Sequence, residues 1–97
     1  NNIGGIYDSL GQYPKALEYY QQALAIRKKI GDRAGVGTTL NNIGAIYYRL
    51  GQYSKALEFF QQALAIIKQI GDRASVGTML NNIGGIYDSL GQYPKAL

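Results

Sequence analysis

The sequence repeats itself every 40 residues, and this repetition limits the possible folds more than any other feature. Residues 1–40 and 41–80 agree at 30 of 40 positions, and residues 81–97 are identical to residues 1–17. We divide the chain into one array of repeat 1 (1–40, its first helix truncated at the start), repeat 2 (41–80) and partial repeat 3 (81–97). Units this short bury their apolar faces by stacking on their neighbours, so the sequence predicts a stacked array.

Each unit contains two helical stripes of apolar residues. The first runs between residues 33 and 50 with spacings of four and three, at Val36, Leu40, Ile43, Tyr47 and Leu50. The second runs between residues 54 and 70, at Ala56, Leu57, Phe60, Ala63, Leu64, Ile67 and Ile70. The connections are so short that consecutive helices must be antiparallel neighbours. The expected fold class is all-α, a solenoid of antiparallel helix pairs whose hand the pattern alone leaves open.

Residues at the expected helix ends support these boundaries. Asp32 and Asp72 can cap the first helices, because their carboxylates accept bonds from free N–H groups. Gly51 follows an apolar stripe, where a left-handed residue often ends a helix. Ser54 is the expected N-cap of the second helix, and Pro14 takes the same place in repeat 1.

The composition excludes several kinds of chemistry. The chain has no His and no Cys, so it lacks the usual zinc ligands, a Cys nucleophile, a His base and disulfides. The acids recur at repeat positions without an obvious acid–base pair, at Asp8, Glu18, Asp32, Glu58, Asp72 and Asp88. No apolar run approaches the roughly 18 residues of a membrane span, and no phosphate-binding glycine motif is present. We therefore expect no enzyme activity, no metal or cofactor and no membrane partner.

Residues 44–64, GAIYYRLGQYSKALEFFQQAL, resemble a tetratricopeptide repeat. The match recurs in residues 3–23 and 83–96, and so covers nearly the whole chain. It rests on small and aromatic positions of both helices and on the turn between them, at Ile43, Gly44, Tyr47, Gly51, Tyr53, Ala56, Phe60 and Ala63. Gly44 and its counterparts Gly4 and Gly84 are expected to allow close helix packing.

The chain departs from the usual pattern in two ways. Its period is 40 rather than about 34, and Leu40 and Leu80 stand where the family has a first-helix Trp. The longer form is similar to the repeats of kinesin light chains, of the LGN/Pins polarity proteins and of bacterial regulatory arrays. The resemblance implies a right-handed superhelix whose first helices line a concave groove that captures a peptide or protein segment. With the absence of a leader sequence, it also implies a cytoplasmic protein.

The side of the first helix away from the apolar stripe supplies the candidate groove residues. In repeat 2 these are Thr38, Asn41, Asn42, Ala45, Tyr48 and Arg49. Asn2, Asn42 and Asn82 recur once per unit, and a carboxamide can both donate and accept hydrogen bonds to a peptide backbone. The resemblance implies an asparagine ladder at this position. A solvated face without a ligand is the alternative. Arg49 alone could bind a ligand carboxylate through two bonds, which is too few for a carboxylate clamp.

Two further hypotheses remain open. The net charge of +4 permits RNA binding, but Arg27, Lys28 and Lys29 lie at the end of a second helix, so nucleic acid is the weaker hypothesis. The other hypothesis is structural: a natural or engineered array stacks end to end into a continuous superhelix with no specific ligand. Its contacts would come from Leu80, Ile83, Tyr87, Leu90, Tyr93 and Leu97.

Overall fold

The computed structural model describes residues 2–89, with side chains from Gly4 onward, and all regular structure in that range is α-helical. The helices are α1 (Asn2–Ser9), α2 (Tyr13–Ile30), α3 (Arg33–Arg49), α4 (Tyr53–Ile70) and α5 (Arg73–Ser89). Each helix packs on the next along the chain. We call α1, α3 and α5 the first helices and α2 and α4 the second helices. The predicted all-α solenoid of antiparallel helix pairs is confirmed.

The turn after α3 confirms the predicted role of Gly51. Its N–H donates to the carbonyl of Tyr48 at 3.0 Å, and the N–H of Gln52 donates to the carbonyl of Tyr47 at 2.9 Å. This pair of bonds is a Schellman motif, which satisfies carbonyls that the helix end leaves free. Gly51 has a φ of +75°, a conformation that glycine adopts without strain.

Helices α3 and α5 begin at carboxylate caps, as predicted. Asp32 Oδ1 accepts a hydrogen bond from the backbone N–H of Gly35 at 3.0 Å. Asp72 accepts bonds from both the backbone N–H and the hydroxyl of Ser75, at 3.3 and 2.7 Å. These bonds lower the pKa of Asp72, the hydroxyl of Ser75 having the largest effect. Asp72 therefore remains ionised at neutral pH.

The predicted N-cap at Ser54 is wrong. Helix α4 begins at Tyr53, so Ser54 is already its second residue, as Pro14 is in α2. The cap position belongs to Gln52, whose side chain makes no capping bond. The backbone of Gln52 explains the shift: its N–H closes the turn after α3, and its carbonyl accepts from Ala56 N at 3.0 Å. The backbone of Gln52 thus takes part both in the end of α3 and in the start of α4.

The buried core lies along the interfaces between successive helices. Ala56, Phe60 and Ala63, which carry the small–aromatic–small series of the second helix, are all buried. Gly44 packs directly on this helix, because a Cβ at Gly44 would lie 2.8 Å from Cδ1 of Phe60. Its counterpart Gly4 faces Tyr20 in the same way, at 2.9 Å. The predicted packing role of this glycine is confirmed in the first two repeats.

Two residues of the predicted stripes lie outside the core. Leu50 is 39% exposed and Ile70 is 44% exposed, whereas Val36, Leu40 and Ile43 are buried. Leu50 directly follows α3, and Ile70 is the last residue of α4. Both residues therefore lie at the edge of the helix packing. The apolar stripes therefore extend slightly beyond the part of each helix that can be covered.

Aromatic stacking joins the first and second helices of each repeat. The Tyr47 ring stacks on Phe59 with centroids 5.4 Å apart, and Lys55 Nζ lies 5.3 Å from the Tyr47 centroid. In repeat 1, Tyr7 stacks on Tyr19 at 5.5 Å, and Lys15 Nζ lies 5.6 Å from the Tyr7 centroid, so the arrangement is the same.

Among the described residues, no helix has the length and apolar character needed to cross a membrane.

Candidate functional site

Two pockets open between neighbouring first helices, on the surface that we call the first-helix face. The α1/α3 pocket has a volume of about 760 Å³, and its lining includes Gly5, Ile6, Leu10, Tyr20, Thr38 and Asn42. The α3/α5 pocket has a volume of about 500 Å³, and its lining includes Asn41, Ala45, Tyr48, Arg49, Asn82 and Gly85.

Equivalent residues form the floor of both pockets. Tyr20 lines the α1/α3 pocket and Phe60 lines the α3/α5 pocket, and both occupy position 20 of their repeats. Tyr20 is 4% exposed, and this burial, together with the negative charge of Asp8, raises the pKa of its phenol, while Arg49 opposes the shift. Both floors are therefore uncharged aromatic rings at neutral pH.

Arg49 binds another residue of the chain, which the sequence pattern did not predict. Its Nη1 donates to both carboxylate oxygens of Asp8, at 2.6 and 2.7 Å, and the pair joins α3 to α1. The two side chains are 45% and 21% exposed. We expected Arg49 to be available to a ligand carboxylate, but much of its charge is already balanced by Asp8. The spacing in the sequence was a signal for this pair, because Asp8 and Arg49 are separated by one 40-residue repeat plus one residue.

The asparagines of neighbouring first helices also contact each other. Asn82 Nδ2 donates to Asn41 Oδ1 at 3.3 Å, across the α3/α5 pocket. The bond is long, and it uses one donor of Asn82 and one acceptor of Asn41. Within residues 4–89 neither side chain makes a further hydrogen bond. The remaining donors and acceptors of this pair are therefore available at the pocket.

The structure divides the predicted groove residues between the two pockets. Asn42 lies in the α1/α3 pocket, whereas Ala45 and Tyr48 lie in the α3/α5 pocket with the Asn41–Asn82 pair. Thr38 lines the α1/α3 pocket, and its hydroxyl donates to the carbonyl of Ala34 at 3.1 Å within its own helix. Asn2 belongs to α1, but its side chain lies outside the described part of the structure.

Three further residues line the α3/α5 pocket. Phe60 is only 3% exposed and belongs to the core, and it also lines the pocket. Asn81 precedes the predicted Asn82 and faces the same pocket. Gly85 leaves space there, since a Cβ at this position would meet no atom within 4 Å. The recurrence of small residues at Gly5, Ala45 and Gly85 was the sequence signal for this opening.

The predicted stacking residues have different surroundings. Leu80 is 51% exposed, whereas Ile83 packs against the cluster of Ala56, Phe60 and Ile86. Tyr87 is half-buried. Leu90, Tyr93 and Leu97 lie outside the described residues.

No group of carboxylates within the described part of the chain could hold a metal ion.

Solved structures with the same fold are found at low sequence identity. BtubC (BKLC) from P. vanneervenii has a TM-score of 0.92 at 27% identity, over 99% of this chain and 40% of that chain. The TPR domain of Arabidopsis FLU has a TM-score of 0.90 at 23% identity, over 98% of this chain and 80% of that chain. The apo form of RapI has a TM-score of 0.89 at 23% identity, over 97% and 34%. The chain thus spans less than half the length of BtubC and of RapI.

The sequence comparisons identify the family directly. A comparison with curated proteins finds no match. The tetratricopeptide repeat family matches residues 1–69 and residues 35–97, which together cover the whole sequence. The helix pairs, the buried small–aromatic–small series and the solved structures of the same fold agree with this match. The chain belongs to the tetratricopeptide repeat family.

Proposed function

We propose that this chain is a protein-interaction scaffold whose first-helix face binds an extended segment of a partner protein. The observation that carries the proposal is the α3/α5 pocket, which places hydrogen-bonding amides above an aromatic floor. Asn41 and Asn82 supply the amides, and Phe60 supplies the floor. Tetratricopeptide repeats are in general non-catalytic interaction scaffolds, which supports the same conclusion.

The chemistry of the pocket suits a polypeptide. A peptide backbone offers one N–H and one carbonyl per residue, and carboxamides can pair with both. Tyr48 is 41% exposed beside the amides, and tyrosine is enriched at the energetic centres of protein interfaces. Arg49 is held in place by Asp8, so its remaining N–H groups would lose little freedom on binding. The balanced charge of Arg49 gives less support to RNA binding.

The test first requires a ligand. Peptides selected from a displayed random library on the unmodified chain would supply one, and their affinities would be compared between two variants. Gly85→Leu fills the α3/α5 pocket, and Gly77→Leu adds the same side chain elsewhere on α5. A Cβ at either glycine meets no atom within 4 Å, so both variants should fold.

We expect Gly85→Leu to weaken binding at least about ten-fold, a loss of about 1.4 kcal/mol, and Gly77→Leu to retain it. Circular dichroism and unfolding curves would confirm that both variants are folded. Equal affinity in the two variants would reject the α3/α5 pocket as the binding site. A failure to select any peptide would argue against the proposed function itself.

A second candidate function is end-to-end self-association, which would cover apolar residues exposed in the single chain. Ile6 is 59% exposed, whereas its counterparts Ile46 and Ile86 are fully buried against the preceding second helix. Leu80 is 51% exposed. Sedimentation equilibrium at rising concentration would test this candidate. A mass that stays at 10.6 kDa would reject it, and a mass that rises in the unmodified chain but not in Ile6→Asp would support it.

A further inference from the structure

One edge of the solenoid carries a charge equal to the net charge of the whole protein. We define the basic edge as residues 27–34 and 67–74, where the second helices end and the first helices begin. It contains six of the ten basic residues, at Arg27, Lys28, Lys29, Arg33, Lys68 and Arg73. With two acids, Asp32 and Asp72, its net charge is +4, which is also that of the chain. The four basic and four acidic residues elsewhere cancel.

The two segments of the basic edge lie side by side. The guanidinium of Arg33, at the start of α3, donates to the side-chain carbonyl of Gln69, near the end of α4. Arg27, Lys28 and Arg33 surround a hollow of about 230 Å³, which Val36 and Ile66 also line. The basic side chains of the first connection therefore adjoin the end of α4, which leads into the second connection.

The acids of this edge leave most of its positive potential in place. Asp32 and Asp72 are the caps of α3 and α5, and their carboxylates bind the N–H groups of Gly35 and Ser75. Carboxylates at such positions are stabilised by the positive ends of the helices. Arg27 and Arg33 donate hydrogen bonds to uncharged groups, the backbone carbonyl of Gly35 and the side-chain carbonyl of Gln69.

The basic edge also exposes isoleucine at equivalent positions. Ile30 is 69% exposed and Ile70 is 44% exposed, each as the last residue of its second helix. Ile30 lies between Lys29 and Arg33 in the sequence, and Ile70 lies between Lys68 and Arg73. Each connection thus presents an aliphatic side chain flanked by cations.

We propose that the basic edge binds the surface of an anionic membrane. Lysine and arginine gain about 1 kcal/mol each near anionic lipids, and an exposed aliphatic side chain can enter the boundary between headgroups and acyl chains. A nucleic-acid backbone offers phosphates but no apolar site for Ile30 and Ile70. The expectation of no membrane partner was based on the absence of a span, and peripheral binding needs none.

Membrane binding at this edge leaves the first-helix face open. Arg33 and Arg49 are at opposite ends of α3, which separates them by about 24 Å along the helix axis. The α3/α5 pocket is lined by residues of the second half of α3, from Asn41 to Arg49, and this half is the one farther from the basic edge. A membrane and a partner segment could therefore be bound at the same time.

Co-sedimentation with vesicles tests the proposal. The vesicles contain either equal parts of phosphatidylserine and phosphatidylcholine or phosphatidylcholine alone. We expect binding to the anionic vesicles that falls as salt is raised, and little binding to the neutral ones. The double variant Lys28→Gln/Lys68→Gln should bind the anionic vesicles at least about ten-fold more weakly. Ile30→Ser/Ile70→Ser should also bind them more weakly at unchanged net charge.

The matched control is Lys15→Gln/Lys55→Gln, which removes the same charge away from the basic edge. We expect this variant to keep most of its vesicle binding. An equal loss in both lysine variants would reject the basic edge as the site, as would unchanged binding by the isoleucine variant. Absence of vesicle binding at low salt would also overturn the proposal. In that case, binding to poly-glutamate would indicate an acidic protein partner, and binding to single-stranded RNA would indicate a nucleic acid.

Discussion

The α1/α3 and α3/α5 pockets are built on the same framework but differ in the side chains that face each other between the two first helices at each junction. Each has an aromatic floor at position 20 of its repeat. Across the first junction, Arg49 of α3 pairs with Asp8 of α1. At the second junction, the residues at the same two places are Ser89 and Tyr48, which cannot form an ion pair. Two of the ten positions that differ between repeats 1 and 2 therefore decide whether a junction carries an ion pair.

This difference separates the part of the repeat that builds the solenoid from the part that varies its surface. The close approach of the first helix to the second recurs, with Gly4 on Tyr20 and Gly44 on Phe60. Tyr48 and Arg49 instead replace Asp8 and Ser9 without a change of fold. A repeat protein can therefore alternate its recognition chemistry along one face while its helix packing stays constant.

The largest expected effect comes from breaking the shared framework. Gly44→Leu forces a side chain against Phe60, because even a Cβ would lie 2.8 Å from that ring. We expect the free energy of unfolding in urea to fall by about 3 kcal/mol, as overpacked cores show. Gly85→Leu is the control, since its Cβ is unobstructed. Equal stability of Gly44→Leu and the unmodified chain would contradict the close packing.

The next prediction makes the second junction resemble the first. Tyr48→Asp with Ser89→Arg places at the α3/α5 junction the residues that pair across the α1/α3 junction. We expect selected peptides to bind at least about ten-fold more weakly, because the tyrosine is lost and a new ion pair spans the rim. Isothermal titration calorimetry measures the change. Ser89→Arg alone should bind nearly as well as the unmodified chain, and unchanged binding by the double variant would refute the assignment.

A smaller effect should distinguish the asparagines. Asn82→Ala removes hydrogen-bonding groups from the α3/α5 pocket, and Asn42→Ala removes them from the α1/α3 pocket. We expect each change to weaken peptide binding, with Asn82→Ala losing about 1 kcal/mol and Asn42→Ala less, at unchanged stability. Fluorescence anisotropy with a labelled selected peptide is sufficient. If neither substitution alters the affinity, the row of amides has no role in recognition.

The smallest effect concerns the ion pair itself. Asp8 and Arg49 are partly exposed, and exposed pairs contribute little because water and salt screen them. A double-mutant cycle of Asp8→Ala and Arg49→Ala should give a coupling energy of about 0.5 kcal/mol that declines in high salt. A coupling energy of several kcal/mol would mean that the pair is a structural element and not a surface link.

The fold was predictable from the sequence because its period, stripes and glycines are local and repeated. Asp32 and Gly51 have the roles that their positions predicted. The site was less predictable because it depends on contacts between repeats. The sequence identified Arg49, but not that Asp8 binds it. It identified Asn82, but not its bond to Asn41. The predicted cap at Ser54 was wrong because backbone bonds of Gln52 set the start of α4, and no side chain makes a capping bond there that the sequence could indicate.

The central claim is that a partner segment binds the first-helix face at the α3/α5 pocket. The most direct measurement is titration of a selected peptide into the ¹⁵N-labelled chain, followed by amide chemical shifts. The account predicts the largest shift changes at Asn41, Ala45, Asn82 and Gly85, and small changes along the exposed side of α4 at Gln61 and Gln62. Shift changes concentrated on α4, with the α3/α5 pocket unaffected, would contradict it.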